Sequence, residues 1–590
     1  MLMFFYLNIT TAFTYNYSIM QTIKNQTLKN NVLQKPYRAS TNFWLSDKML
    51  RNYFEQHVKQ DAQSFMLPFL YNTGELAAGE MNAWSLTADK QTPVLVKRNY
   101  WGETINKIEF HPDYFKLLDV AVKSHMFTVK WKPGYRNKFN GQLHLLGFLS
   151  GFLFAQTESS QYCPLCMTDG AARIIDRFAN DADRERLLEH IFTQNYLDLY
   201  TGAMFLTEKT GGSDVGANIV EAHHVQDDIY TLKGEKWFCS NASAEIKLVL
   251  ARTNPEIKGT RGLSIFLVEQ YLENGERNPL DIVRLKDKLG VRSMASGECI
   301  FENTQAKLIG KEGEGFKIMT EMINLSRLYN SVAAIACMRR ALHEAYQYVQ
   351  QRITFGKYTI EHAMVQEKLM ELGLLYQQNF YLTFRSITAL DAADNGNETE
   401  SGLVGLLTPM TKKFTAEKSV YLIRECMELI GGISYVEDGI IAKVFRDAMV
   451  LPIWEGTGNI MILDMLRAIQ KTKGLDLIFD EIEQNSTHAD DSVFPVEAFK
   501  KQVTLSCDFF KNLNKMSSQA ELEIAAKHEL EQLTDLYATS LLFKNINAQT
   551  EDWIIPALQH KAWQMQSKET YTSPVHITKE NTERVIAWEY

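Results

Sequence analysis

The stretch Phe316–Leu342, FKIMTEMINLSRLYNSVAAIACMRRAL, decides the fold class. Its residues Ile318, Met322, Leu325, Leu328, Val332, Ile335, Met338 and Leu342 recur at three and four positions, which puts them on one face of a single long helix. Helical spacing then continues to about Lys473. Upstream, from about Leu199 to Gly315, the texture changes to short β-branched or aromatic runs split by Gly and Asn, such as Ile229–Leu232, Lys247–Ala251 and Leu263–Val268. This predicts an antiparallel sheet domain. From Asp47 to Asp198 the spacing is helical again. Phe115, Leu118, Val122 and Met126 share a face that Leu117, Val120 and Ala121 widen, so Tyr114–Phe127 reads as a buried helix, and Leu143–Ala155 as a core helix.

After Gly474 a polar stretch of about 20 residues, including Gln484–Asp491, reads as a linker. Amphipathic helices are predicted over Phe499–Leu513 and Ala520–Ile546, followed by a short helix and a polar tail. The predicted class is α+β: a leader over 1–40, an N-terminal helical domain over 41–198, a central antiparallel β domain over 199–315, a C-terminal helical bundle over 316–473 and an extra helical domain over 474–590. The leader is expected to be disordered or over-annotated, with Met20 as an alternative start. Strands and helices do not alternate, no GxGxxG follows a strand and no GxxxxGK[ST] occurs, which argues against a doubly wound nucleotide-binding sheet.

Composition fits this division. With 590 residues, 45% hydrophobic and 23% charged, the chain is globular, can bury a large core and exceeds one small binding module. Its net charge of −9 gives no global field toward nucleic acid or anionic lipid. Seven cysteines, sparse and odd in number, fit a reducing compartment, so a cytoplasmic location is expected. No apolar run reaches the ~18 residues of a spanning helix. Met3–Leu7 is apolar, but no charge precedes Lys24, whereas a secretory signal has a basic start.

Four segments could carry chemistry. In Leu206–Val215, paired glycines followed by Ser213 would let backbone N–H groups approach an anion, though a solvated turn reads equally well. In Gly234–Asn241 (GEKWFCSN) adjacent aromatics point to opposite strand faces, so one can flank a planar ligand while the other packs in the core, though ordinary core packing is the plainer reading. Arg352–Lys357 (RITFGK) offers cations to a phosphate or, as plainly, to a helix C-terminus. Gly431–Tyr435, Phe445-Arg446-Asp447 and Pro452–Asn459 follow. There Glu455, set between Trp454 and Gly456 in an apolar run, has the setting of a desolvated carboxylate with a raised pKa, as a general base near neutral pH requires; a helix cap is the plainer reading.

Taken together, the order and wording of these segments resemble the acyl-CoA dehydrogenase superfamily over about residues 160–472. TEKTGGSDV at Thr207–Val215, RLKDKLGVRSMAS at Arg284–Ser296 and IWEGTGNIMILDMLR at Ile453–Arg467 resemble its adaptive-response, AidB-like branch. The resemblance implies a helical domain, a β domain and a four-helix domain with FAD between them. It assigns Leu206, Thr207, Gly212 and Ser213 to the flavin ring edge and pyrophosphate, Phe238 and Ser240 to the isoalloxazine with Trp237 close by, and Thr457 and Asn459 to the adenosine or diphosphate. Arg352, Thr354, Phe355, Gly431 and Gly432 would reach a neighbouring subunit's FAD in a homotetramer. Glu455 stands where many members carry the base that takes the α-proton of an acyl-CoA thioester, and Arg327 resembles the arginine near the active site. The position where other members place the base is Ser326, which cannot serve.

Two departures bear on FAD contacts: Glu428 and Ala363 replace common glutamines. Cys163-Pro164-Leu165-Cys166 reads as a small core pair, since zinc would need a second pair or histidines. His343-Glu344 does not open an HExxH, because Gln347 holds the place of the second His. Three functions are compatible: a dehydrogenase passing electrons to an electron-transfer flavoprotein or similar acceptor, an AidB-like DNA-associated protective flavoprotein, and an oxidase. Against strong DNA binding, Leu475–Tyr590 carries 10 Lys/Arg and 19 Asp/Glu.

Overall fold

The computed structural model describes residues 40–516, 518–567 and 573–589, so the expected leader lies outside the described residues except for Ser40. Helices dominate up to Ile191. His144–Ala155 is buried throughout, as its mostly apolar sequence requires, and the helix Ser159–Phe178 packs beside it. Close approach is set by two glycines: a side chain at Gly147 would collide with Lys130, and one at Gly151 with the ring of Tyr162.

Two readings of this region are corrected. A hairpin of β1 (Val94–Arg98) and β2 (Thr104–Glu109) interrupts the helices. Its short strands alternate weakly, and its tip, Tyr100 and Trp101, is exposed, so no buried face announced it. The Tyr114–Phe127 helix runs instead over Pro112–Lys123, with Phe115 outside the buried face and Met126 buried beyond the helix end.

The middle of the chain forms β3 (Gly202–Phe205), β4 (Glu221–Gln226), β5 (Ile229–Ser240), β6 (Ile246–Arg252), β7 (Leu263–Glu269), β8 (Leu280–Leu285) and β9 (Ser296–Ile309). Strands β6, β4, β5, β9 and β7 follow one another, and β7 pairs back onto β6, closing the sheet around Leu232, Val249, Phe266 and Phe301. The sheet is mixed rather than purely antiparallel, because β3 runs parallel to β6. A period of two carries no strand direction, which is why the sequence reading missed it.

The long helix spans Gly315–Gln351 and packs with Ala363–Asp394 and Glu398–Ile430, and Gly458–Lys471 packs on Glu398–Ile430. The expected linker after Gly474 is instead a helix, Gly474–Ser486, that buries Ile478 and Ile482 one turn apart. Helices Val496–Lys511, Gln519–Lys544, Glu551–Ser567 and Lys579–Ile586 follow, and the last three pack on Ala363–Asp394. Their core is continuous with that of the bundle. Among the described residues no helix is long and apolar enough to cross a membrane.

Three regions meet at a buried charge cluster. Asp447 accepts from the Val291 N–H at 2.6 Å, from Lys443 at 2.7 Å and from Ser160 at 3.2 Å. Glu158 accepts from Ser85 and from Ser293, and Arg446 pairs with Asp89 at 2.5 Å. A side chain at Gly290 would collide with the Arg446 backbone, so the Arg284–Ser296 run is pressed onto the helix Ile440–Ala448. This junction holds the barrel against the helices around the candidate site.

Candidate active site

Glu455 lies in the turn before the helix Gly458–Lys471 with φ of +57°, a left-handed conformation that costs a non-glycine residue about 1 kcal/mol. The turn is held on both sides. Arg327 Nε donates to the Glu455 carbonyl at 3.2 Å, and the buried Lys412 Nζ donates to the Gly456 carbonyl at 2.5 Å. The Arg327 guanidinium is otherwise committed to Asp464 at 2.6 Å and Asn324 at 3.3 Å.

Among the described residues the Glu455 carboxylate is therefore left without a direct cation. Its hydrogen-bond partner is the Ser326 hydroxyl, at 2.6 Å. Burial is the largest influence and pushes its pKa up; Ser326, then the more distant charges of Arg327 and Lys412, pull it back without cancelling the rise. Burial also pushes Lys412 down to about 8. On the helix Ser159–Phe178, burial and the Glu455 charge together raise the Cys163 and Cys166 thiols, so both cysteines face the carboxylate's field.

The barrel supplies a second group of residues. A bulge between Lys236 and Cys239 turns Lys236 and Cys239 inward and leaves Phe238 54% exposed. This corrects the expectation that one aromatic enters the core: Trp237 is also outside it, its N–H held by the Thr207 carbonyl at 2.9 Å. Lys286 Nζ lies 3.7 Å from the Trp237 ring centre and 4.5 Å from that of Phe238. Ser240 pairs in register with Ser296, and Lys288 donates to Ser296 Oγ at 3.0 Å. Lys288, pushed down to about 8 by burial, also feels Cys163, which links the barrel residues to the Glu455 side. The hydroxyls of Thr207, Ser213 and Ser240 make no hydrogen bond to the described residues.

Other assigned residues lie outside this cluster. Thr457 and Asn459 are exposed at the start of the helix Gly458–Lys471, where the Thr457 side chain makes no cap. Gly431, at φ +82°, ends the helix Glu398–Ile430, and Gly432 follows in a short 3-10 turn; a Cβ on either would meet nothing, so their backbone is open to approach. Arg352 lies 26 positions beyond Ser326 along the long helix, about 39 Å at 1.5 Å per residue. Thr354 and Phe355 follow in a small hairpin, where Phe355 is 98% exposed. Leu206 and Gly212 border the Thr207 turn, and Glu428 is paired with Arg424 at 2.7 Å.

Sequence reasoning did not single out Lys412, Lys286 or Lys288. Lys412 sits in a helix with no motif around it, and the two others belong to a run read only as family likeness.

Comparison with known proteins places the chain. The acyl-CoA dehydrogenase C-terminal domain matches residues 313–470, the middle domain 203–304, and the adaptive response protein AidB N-terminal domain 33–198. The AidB protein of Escherichia coli is 30% identical over 77% of this chain and 83% of its own. The solved apo-form of Bd2924 is 31% identical, covers 86% of this chain and 98% of its own, and superposes with a TM-score of 0.79. Caenorhabditis elegans ACDH-11, solved with C11-CoA, is 24% identical over 90% and 93%, with a TM-score of 0.80. The acyl-CoA dehydrogenase of Bacillus anthracis, solved complexed with FAD, shares the fold at 16% identity over 90% of this chain and 95% of its own, with a TM-score of 0.68. The helical, barrel and bundle regions, the three matched domains and the 30% identity to AidB lead to one assignment: this chain belongs to the acyl-CoA dehydrogenase family, in its AidB-like branch.

Proposed function

We propose that the chain is an FAD-dependent dehydrogenase that removes the α-proton and the β-hydride of an acyl-CoA thioester, with Glu455 as the base. One observation carries this reading. The Glu455 carboxylate is half-buried, bonded to one hydroxyl, unpaired with any cation among the described residues, and held above the usual carboxylate range by burial. A carboxylate in that state binds a proton more readily than an exposed one, which suits it to proton abstraction near neutral pH.

The residues present fit FAD. Uncommitted hydroxyls of Thr207, Ser213 and Ser240 can donate to it, the exposed Phe238 ring can lie against a flat ring system, and Gly431 and Gly432 leave room for close approach. When bound, FAD accepts the hydride. Arg327 and Lys412 hold the turn by its carbonyls, so the Glu455 N–H, which has no partner among the described residues, can polarise the thioester carbonyl. The test is anaerobic titration of the flavin-loaded protein with acyl-CoAs of increasing length, following flavin absorbance. Bleaching by at least one of them is expected. A panel with no bleaching would overturn the reading and favour a protective, non-turnover role.

Arg352, Thr354, Phe355, Gly431 and Gly432 serve the FAD of a neighbouring subunit in a homotetramer. The 39 Å estimated from Ser326 to Arg352 and the exposure of Phe355 support that division. Arg352→Ala is expected to lower FAD retention on gel filtration or to shift the tetramer toward smaller species. Normal retention in a normal tetramer would count against it.

An electron-transfer flavoprotein or similar acceptor in the cytoplasm takes the electrons. DNA is at most a weak partner, because the acidic region after Gly474 offers few cations to phosphate. Fluorescence anisotropy with duplex DNA should show weak binding that vanishes as salt rises; a tight complex at moderate salt would contradict this.

A further inference from the structure

We propose that Ser326 is the positioning residue of Glu455, its hydroxyl turning between the Ile323 carbonyl and the Glu455 carboxylate as that carboxylate loses and gains its proton. This rests on the reading of Glu455 as the base. The geometry is specific. Ser326 Oγ is 2.6 Å from Glu455 Oε2 and 2.9 Å from the Ile323 carbonyl one turn back, and Ser326 is buried. A hydroxyl has one hydrogen, so it cannot donate to both acceptors at once.

The two arrangements correspond to the two states of the base. With Glu455 ionised, Ser326 donates to the carboxylate and leaves the Ile323 carbonyl to its helical bond. With Glu455 protonated, the acid O–H donates to Ser326 Oγ and the serine donates to Ile323. The carboxyl keeps a partner in each state, and it need not leave the turn that Arg327 and Lys412 hold. A lysine here would trap the ionised form, and an alanine would leave both forms unpartnered in a half-buried site. The charged and titratable groups facing Glu455 are Arg327 from the long helix, Lys412 from the helix Glu398–Ile430, and Cys163 and Cys166 from the helix Ser159–Phe178. Asp464 acts on it only through Arg327. Arg327 and Lys412 are committed to the carbonyls of the turn rather than to the carboxylate, which leaves the hydroxyl as the responsive element.

The experiment compares wild type, Ser326→Ala and Ser326→Thr. Anaerobic flavin bleaching by a saturating acyl-CoA is followed across pH, and the Glu455 carboxyl band is followed in the same proteins by infrared difference titration, assigned by its loss in Glu455→Gln. In Ser326→Ala the acid limb of the rate profile should move up by about one pH unit, and the protonated C=O band should shift to higher frequency and titrate later. Ser326→Thr should restore both. Unchanged profiles and an unchanged band in Ser326→Ala would overturn the proposal. Bleaching that persists in Glu455→Gln would overturn the base assignment instead. The infrared titration decides the hydroxyl's role whether or not the protein bleaches.

Discussion

Glu455→Gln is expected to retain FAD and to slow flavin bleaching by acyl-CoA about 10³-fold, within the span a positioned general base contributes. The amide has the shape of the carboxyl and can still accept from Ser326, so the turn at φ +57° keeps its grip through Arg327 and Lys412. It cannot take a proton. Stability should not fall, because the substitution also removes a carboxylate whose charged form burial disfavours. FAD retention should persist, since the hydroxyls assigned to the cofactor lie on the barrel side. The measurement is anaerobic stopped-flow absorbance of the flavin with each acyl-CoA. Bleaching within tenfold of wild type would show that another group takes the proton.

What the sequence disclosed follows from what each signal encodes. The long helix was legible because its apolar positions repeat along nearly its whole length, and the helix Leu143–Ala155 because only His144 and Ser150 interrupt its apolar and glycine residues. Glu455 stood out because a carboxylate in an apolar run is uncommon. Its setting was not legible: Ser326 is 129 residues away, and Lys412 comes from a third segment. The bulge that turns both Trp237 and Phe238 outward breaks the alternation on which a strand reading relies. The helix Gly474–Ser486 was hidden because its polar residues outnumber its buried Ile478 and Ile482. The chain's last residues also read as a polar tail, yet Val585, Ile586 and Trp588 are buried. Their partners lie hundreds of positions upstream, beyond any local pattern.

That buried end sets up the largest stability effect. Arg339, fully buried on the long helix, donates to Asp47 at 2.8 Å and to the Ile586 and Ala587 carbonyls at 2.7 and 2.9 Å, with Trp588 stacked 4.5 Å away. The N-terminal helices, the long helix of the bundle and the C-terminal helices thus share one cation. Arg339→Met would strand a buried carboxylate and the Ile586 carbonyl, while the Ala587 carbonyl keeps the Lys48 N–H at 3.2 Å, and should cost about 3–5 kcal/mol. Denaturant titration should show the loss, with earlier proteolysis near the C-terminus. Asp47 also caps the helix Lys48–His57 through the Leu50 N–H at 3.0 Å, so deleting its side chain would add a second defect. Asp47→Asn keeps that cap while removing the charge. The pair Arg339→Met with Asp47→Asn should therefore recover a substantial part of the loss. If the double variant is no more stable than Arg339→Met alone, the cost comes from the stranded Ile586 carbonyl and lost packing, and the ion pair is not what fastens the chain's end.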